Sequence, residues 1–230
     1  AQAQYELGYC YEKAVGVEHD ESEAIKWYRR SAEGGYAPAQ FVLGYFHHGH
    51  GRLDYDHDEV LKWYGKASDQ GYAKAQFNLG CYYDHGQGES GRLVPGGATV
   101  WTKFGVPRNP AEALKWYRKA AENGHAQAQY LMGKSYHSGK DVPEDHTQSV
   151  KWWRKAAEQG NPASQFNLGV MYLHGHGTAK DFVESAKWFR ECAMQKITYF
   201  RCGHGMPTSR PMVDGIQTEL IPLTGIPKIR

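Results

Sequence analysis

The chain has 230 residues, 40% of them hydrophobic and 23% charged, with 27 Lys and Arg against 25 Asp and Glu, which is globular usage rather than that of a disordered chain. A net charge of +2 lacks the basic excess that nucleic-acid readers carry, and no run approaches the roughly 18–20 apolar residues of a membrane span. At this length a core forms without disulfide or metal staples, so a water-soluble protein with no direct membrane insertion is expected.

The chain contains 7 Trp and 16 Tyr, and their positions expose an internal period. Trp27, Trp63, Trp116, Trp152 and Trp188 are spaced by 36, 53, 36 and 36 residues, and Gly8, Gly44, Gly80, Gly133 and Gly169 keep the same register. So do Gln4, Gln40, Gln76, Gln129 and Gln165. Such self-similarity marks a repeat array. The interval of 53 exceeds the period by 17 residues, which predicts one insertion, placed at about 89–105. The repeats then run 1–36, 37–72, 73–125 with the insertion, 126–161 and 162–195.

Each unit opens with a helical pattern, as in Ala3, Leu7 and Tyr11, and continues with a second, as in Ala24, Trp27, Tyr28 and Ser31. Asp20, Asp145 and Asp181 stand just ahead of second helices, where a carboxylate caps free N–H groups. Gly35, Gly71, Gly124 and Gly160 follow the second helices, where a residue with positive φ ends the helix. The glycine inside each first helix costs roughly 1 kcal/mol of propensity relative to Ala. Its recurrence predicts a neighbouring helix packed too closely for a side chain, with the Trp ladder as the structural core of the array. The expected fold is all-α, a right-handed α-solenoid of helix-turn-helix repeats.

The residues Ala39-Gln40-x-x-Leu43-Gly44, Ala128-Gln129-x-x-Met132-Gly133-x-x-Tyr136-x-x-Gly139 and Ala113-x-x-Trp116-Tyr117-x-x-Ala120-Ala121-Glu122-x-Gly124 resemble the Sel-1-like repeat, a relative of the tetratricopeptide repeat. The resemblance covers about residues 1–194 without the insertion. It implies a non-enzymatic adaptor or scaffold with protein or peptide partners, of the kind found in ubiquitin-ligase complexes of endoplasmic-reticulum quality control, in chitin-synthase activation or in signalling. Cysteine-rich relatives carry a disulfide in each repeat and suggest a hydrolase as the alternative. Here Cys10, Cys81, Cys192 and Cys202 form no repeating pair, and no Ser-x-x-Lys or Gly-x-Ser-x-Gly motif is present. Unpaired cysteines and the lack of an Asn-x-Ser/Thr sequon favour a cytoplasmic setting, with association to the endoplasmic reticulum as the alternative.

In stacked hairpins of this type the first helices line the concave side. The residue after each Gln is always aromatic (Tyr5, Phe41, Phe77, Tyr130, Phe166) and is expected to pack between repeats, whereas neighbouring columns vary. Those columns supply the candidate partner face: Val42, Tyr45, Phe46, Asn78, Cys81, Tyr82, His85, Leu131, Lys134, Asn167, Val170 and Met171. The alternative is that neighbouring repeats already cover them. The second helices carry a basic stripe interspersed with Glu, read as a solvated convex face with i,i+4 pairs.

The 12 His, including His47-His48-Gly49-His50 and His57, are read as surface loop residues, since no closed set of metal ligands recurs. No cofactor, metal, catalytic residue, nucleic acid or small-molecule substrate is expected. The insertion reads as a functional loop or a misjoined stretch of the gene. The stretch 196–230, with Pro207, Pro211, Pro222 and Pro227, continues none of the ladders and reads as a poorly ordered extension.

Overall fold

A computed structural model describes residues 1–48, 53, 56–86, 89–93, 99–103 and 107–194. Ten helices are described: α1 (Gln2–Lys13), α2 (Glu21–Glu33), α3 (Ala37–His47), α4 (His57–Asp69), α5 (Ala73–His85), α6 (Pro110–Glu122), α7 (Ala126–Ser138), α8 (His146–Glu158), α9 (Pro162–His174) and α10 (Phe182–Met194). Each packs against the helix before it and the helix after it, the contact pattern of a stacked array. The joint expected at Gly49 to Gly51 and the stretch 196–230, with Cys202, lie outside the described residues.

Capping residues fix where the second helices begin. Asp20, Asp145 and Asp181 accept from the backbone N–H of Glu23, Gln148 and Glu184, and Asp56 and Asn109 do the same for Glu59 and Glu112. The ends of these helices are set by glycine: Gly35 and Gly71 adopt φ of 85° and 77°. There the N–H of Tyr36 and Tyr72 reaches back to the carbonyls of Ser31 and Ala67, closing the helix and turning the chain into the next repeat.

The helical glycines face an aromatic ring, although not the tryptophan of the ladder. A Cβ built on Gly8, Gly44 or Gly80 would meet the ring of Tyr28, Tyr64 or Tyr117, at Gly133 it would meet Trp153, and at Gly169 Phe189. The residue after the ladder Trp therefore fills the close approach. Tyr28, Tyr64, Tyr117 and Trp153 are buried, whereas Trp27, Trp116 and Trp152 are half-buried; Trp63 and Trp188 alone among the ladder are buried. Adjacent positions on a helix point about 100° apart, so both recur with the period and only one can enter the glycine notch.

The tryptophans carry a different contact. Arg30 lies over Trp27, Lys62 and Lys66 over Trp63, Lys119 over Trp116, Lys155 over Trp152 and Lys187 over Trp188, at 4.2–5.1 Å. Lys26, Lys62, Lys115 and Lys187 also pair with Glu23, Glu59, Glu112 and Glu184. These ion pairs are i,i+3 rather than the expected i,i+4, and they engage much of the basic stripe within its own helices.

The glutamine ladder forms the joints. Gln40, Gln76, Gln129 and Gln165 donate through Nε2 to the carbonyls of Ala32, Ser68, Ala121 and Ala157 in the preceding second helix, at 3.0–3.2 Å. Three of these glutamines in turn accept from the cap of their own second helix: Gln70 to Gln40, Asn123 to Gln76 and Gln159 to Gln129. Each buried amide thus satisfies one of the open carbonyls at a helix end while holding two repeats in register.

The insertion is a two-stranded antiparallel ribbon, with β1 (Glu89–Leu93) paired to β2 (Thr99–Lys103) in the register Glu89 with Lys103 and Leu93 with Thr99. The helical array is all-α as expected, and the ribbon is an addition between α5 and α6. A run such as Thr99-Val100-Trp101-Thr102 is rich in strand-forming residues, a signal that the helical period masks.

Candidate partner-binding face

The polar fringe of the first helices is tuned to the aromatic in the notch. Glu12 accepts from the Tyr28 hydroxyl at 2.6 Å, Asp84 faces the Tyr117 hydroxyl at 3.5 Å, and the His48 ring meets Tyr64 edge-on. At the equivalent place the His137 ring lies 5.2 Å from that of Trp153. Leu173 takes the same position in the repeat whose notch residue, Phe189, has no hydroxyl to satisfy.

The aromatic after the glutamine, expected to pack between repeats, lies against the notch aromatic of its own repeat and against the N-cap residue that leads into the next first helix. Tyr5 lies against Tyr28 and Tyr36, Phe41 against Tyr64 and Tyr72, and Phe77 against Tyr117 and His125. His125, the N-cap of α7, accepts from Ala128 N–H and stacks 4.3 Å from Phe77. Burial, with Lys74 nearby, lowers its imidazole pKa to about 4, so it is held neutral as an acceptor.

The twelve candidate residues separate into two groups. Phe46, Cys81, Tyr82 and Met171 are buried, which corrects their assignment to an open face. Phe46 packs with Leu43, Tyr28 and Trp63, Tyr82 with Leu79 and Tyr64, and Met171 with Leu168, Trp153 and Trp188. These residues follow the ladder leucine by three positions, so they share its buried side. Val42, Tyr45, Asn78, Leu131, Asn167 and Val170 are half-buried, and Lys134 and His85 are exposed. Asn78 is tied to the Tyr64 hydroxyl at 3.0 Å, and His85 through Nδ1 to the Cys81 carbonyl at 2.9 Å.

Leu131 and Lys134 line a cleft of about 260 Å³, open to solvent, between the end of α5, the start of α6 and α7. Ala113, Leu114 and Tyr117 contribute apolar surface, and Asp84, Arg108, Lys140 and Asp141 add charge. Arg108 is held by the Asp84 carbonyl at 2.7 Å. The hydroxyl of Ser138, also in the cleft, is engaged with backbone at Ser135 and Lys140. Sequence reasoning found Leu131 and Lys134 but not the cleft, because the insertion separates Asp84 from Arg108 in the chain.

His47 and His48 are buried at the end of α3, and the His57 ring stacks on Tyr82. This corrects their assignment to surface loops; His50 lies outside the described residues. Among the described residues no three His, Cys, Asp or Glu side chains are arranged to hold a metal ion. None of the described helices is long and apolar enough to cross a membrane.

Comparison with known proteins gives a consistent result. The family model described as Sel1 repeat matches residues 1–36, 37–72, 73–92, 102–125, 126–161 and 162–196. Its third and fourth segments flank the stretch that interrupts the period. A protective antigen of uropathogenic Escherichia coli displaying an SLR fold is 38% identical, with a TM-score of 0.68 over 84% of this chain and 38% of its own. A Sel1 repeat protein from Oxalobacter formigenes is 33% identical, with a TM-score of 0.65 over 84% of this chain and 72% of that one. Among curated proteins, an F-box protein of Arabidopsis thaliana is 47% identical over 36 residues, and this chain spans only 10% of its length.

Proposed function

The chain belongs to the Sel1 repeat family, whose members are generally protein-interaction scaffolds, and from that premise we propose that it is a non-enzymatic adaptor whose first-helix face holds a peptide or helix of another protein. The carrying observation is that Leu131 and Val170 remain half-exposed after the notches and joints are filled, while Val42 and Tyr45 pack in part against the core. Such leftover apolar positions on a regular scaffold are the ordinary anchors of a partner segment. The cleft that Leu131 and Lys134 line offers one such anchor point on α7. The match to the F-box protein is one repeat long, so it supports the repeat and does not bring the F-box function with it.

The test compares the full chain with a Leu131→Glu, Lys134→Glu variant in affinity capture, after circular dichroism shows equal helicity. Both positions lie in the cleft and outside the notches and joints, so the fold should persist. The expected result is a partner captured by the parent chain and lost from the variant. Equal capture by both would place recognition elsewhere and refute this assignment of the face.

A further inference from the structure

Four of the five second helices carry the same intrahelical ion pair, and the remaining one does not. Glu23, Glu59, Glu112 and Glu184 hold Lys26, Lys62, Lys115 and Lys187 at 2.7–3.2 Å. In α8 the equivalent residues are Gln148 and Lys151, so the lysine is kept while an amide replaces its carboxylate. Among the described residues neither the Lys151 ammonium nor the Gln148 amide has an ion-pair or hydrogen-bond partner.

A cavity opens at this same place. It has a volume of about 450 Å³ and lies between α8 and the turn after α9, with Gln148, Lys151, Arg154 and Lys155 contributed by the helix and Gly177 and Thr178 by the turn. The turn is seated firmly on α8: Gly177 has a φ of 67°, and a Cβ there would strike the His146 carbonyl. Arg154 donates to the Tyr172 hydroxyl of α9, with its guanidinium 5.8 Å from that ring, and Lys155 lies 4.6 Å over the Trp152 ring. Neither partner carries a charge that offsets theirs. Glu158 is the carboxylate among the described lining residues, which leaves three cations against one anion.

A single exposed ion pair contributes little, so a lysine without a partner is not in itself a site. Here three cationic side chains converge on one cavity, and an anion entering it gains charge-assisted hydrogen bonds from more than one donor. The other second helices show which anion suits this lysine, since each supplies it with a carboxylate. Val150 and Trp152 add apolar surface to the lining, which the methylene stem of an acidic side chain can cover and a free inorganic anion cannot use.

We propose that this cavity is a docking site for an acidic segment of a partner protein, with a glutamate or aspartate side chain of that segment pairing with Lys151 as the helix's own glutamate does in the other repeats. Arg154 and Lys155 add charge around it. The site is built from a second helix, so it holds whether or not the first-helix face binds a partner.

The test is fluorescence anisotropy of a labelled oligoglutamate peptide with the full chain, at about 50 mM salt so that screening is modest. Gln148→Glu supplies the carboxylate from within α8 and reproduces the pair of the other four helices, so it should close the site and leave the fold intact, which circular dichroism checks. Both Gln148→Glu and Lys151→Gln should weaken binding by about fivefold or more. Arg29→Gln makes the same unit change of net charge on an exposed position of α2 and should weaken it by less than about twofold. No binding by the parent chain, or equal weakening by Arg29→Gln, overturns the site. Displacement of the peptide by an equal concentration of inorganic phosphate would make it a free-anion site, and a dimer of the parent chain that Gln148→Glu abolishes in sedimentation velocity would seat a second copy there; either result overturns the proposal.

Discussion

Substituting alanine for the helical glycines separates close approach from helix propensity, because three glycines in equivalent secondary structure have different surroundings. A Cβ on Gly133 would lie 2.5 Å from Trp153 Nε1 and 2.9 Å from its Cγ, about 1 Å inside ordinary carbon contact distance. The ring cannot simply swing away, since Nε1 donates to the Tyr130 carbonyl and His137 packs against it. Overpacking of this kind costs about 1–3 kcal/mol, and the gain from replacing Gly by Ala in a helix returns about 1 kcal/mol. Gly133→Ala should therefore destabilise by up to about 2 kcal/mol net. At Gly8 the nearest atoms are Tyr28 Cδ1 at 3.0 Å and the Ala24 carbonyl at 3.2 Å, contacts that a shift of ring and helix by a few tenths of an ångström relieves, so Gly8→Ala should be near neutral. Gly65 lies inside α4 with nothing within 4 Å, and Gly65→Ala should stabilise by about 0.5–1 kcal/mol. Urea titration followed by far-UV circular dichroism ranks the three. If Gly133→Ala matched Gly65→Ala, the notch would not be what keeps these positions glycine.

Two other predictions rest on the joints. Gln129→Leu removes the donor to the Ala121 carbonyl and the acceptor for Gln159, and should cost about 1–3 kcal/mol in the same titration; a neutral result would mean water replaces the amide without loss. His125, with its pKa lowered from 6.5 to about 4, takes up a proton more readily in the unfolded chain. Its stabilisation is present in full above about pH 6.5 and is lost as pH falls toward 4, a span of about 3 kcal/mol. His125→Asn should remove that slope while keeping the cap, since Asn161 caps α9 from the equivalent position through Ser164 N–H. Comparing urea midpoints at pH 5 and 7 checks this, and an unchanged slope in the variant would refute it.

The period, the hairpins, the capping aspartates and the terminal glycines were legible in the sequence because each is a local rule that recurs from unit to unit. The partner of the helical glycine was not. Trp63 and Tyr64 recur together, and periodicity cannot say which of two adjacent rings turns into the notch. Column variability likewise misled for Phe46, Tyr82 and Met171, which differ in identity yet are all buried. Exchange among large apolar residues measures tolerance of shape, not exposure. His48 and His57 escaped for a related reason: the ring that packs against them is Tyr82, on a helix of the following repeat.

The amide link between the two helices of repeat 3 spans the insertion and is indifferent to it. Asn123 reaches Gln76 at 2.9 Å across the ribbon, against 2.8 and 2.7 Å at the two links with no extra residues. The hairpin of repeat 3 therefore keeps its internal register whatever the length of chain that joins its two helices, as expected where additions fall in the loops of a solenoid.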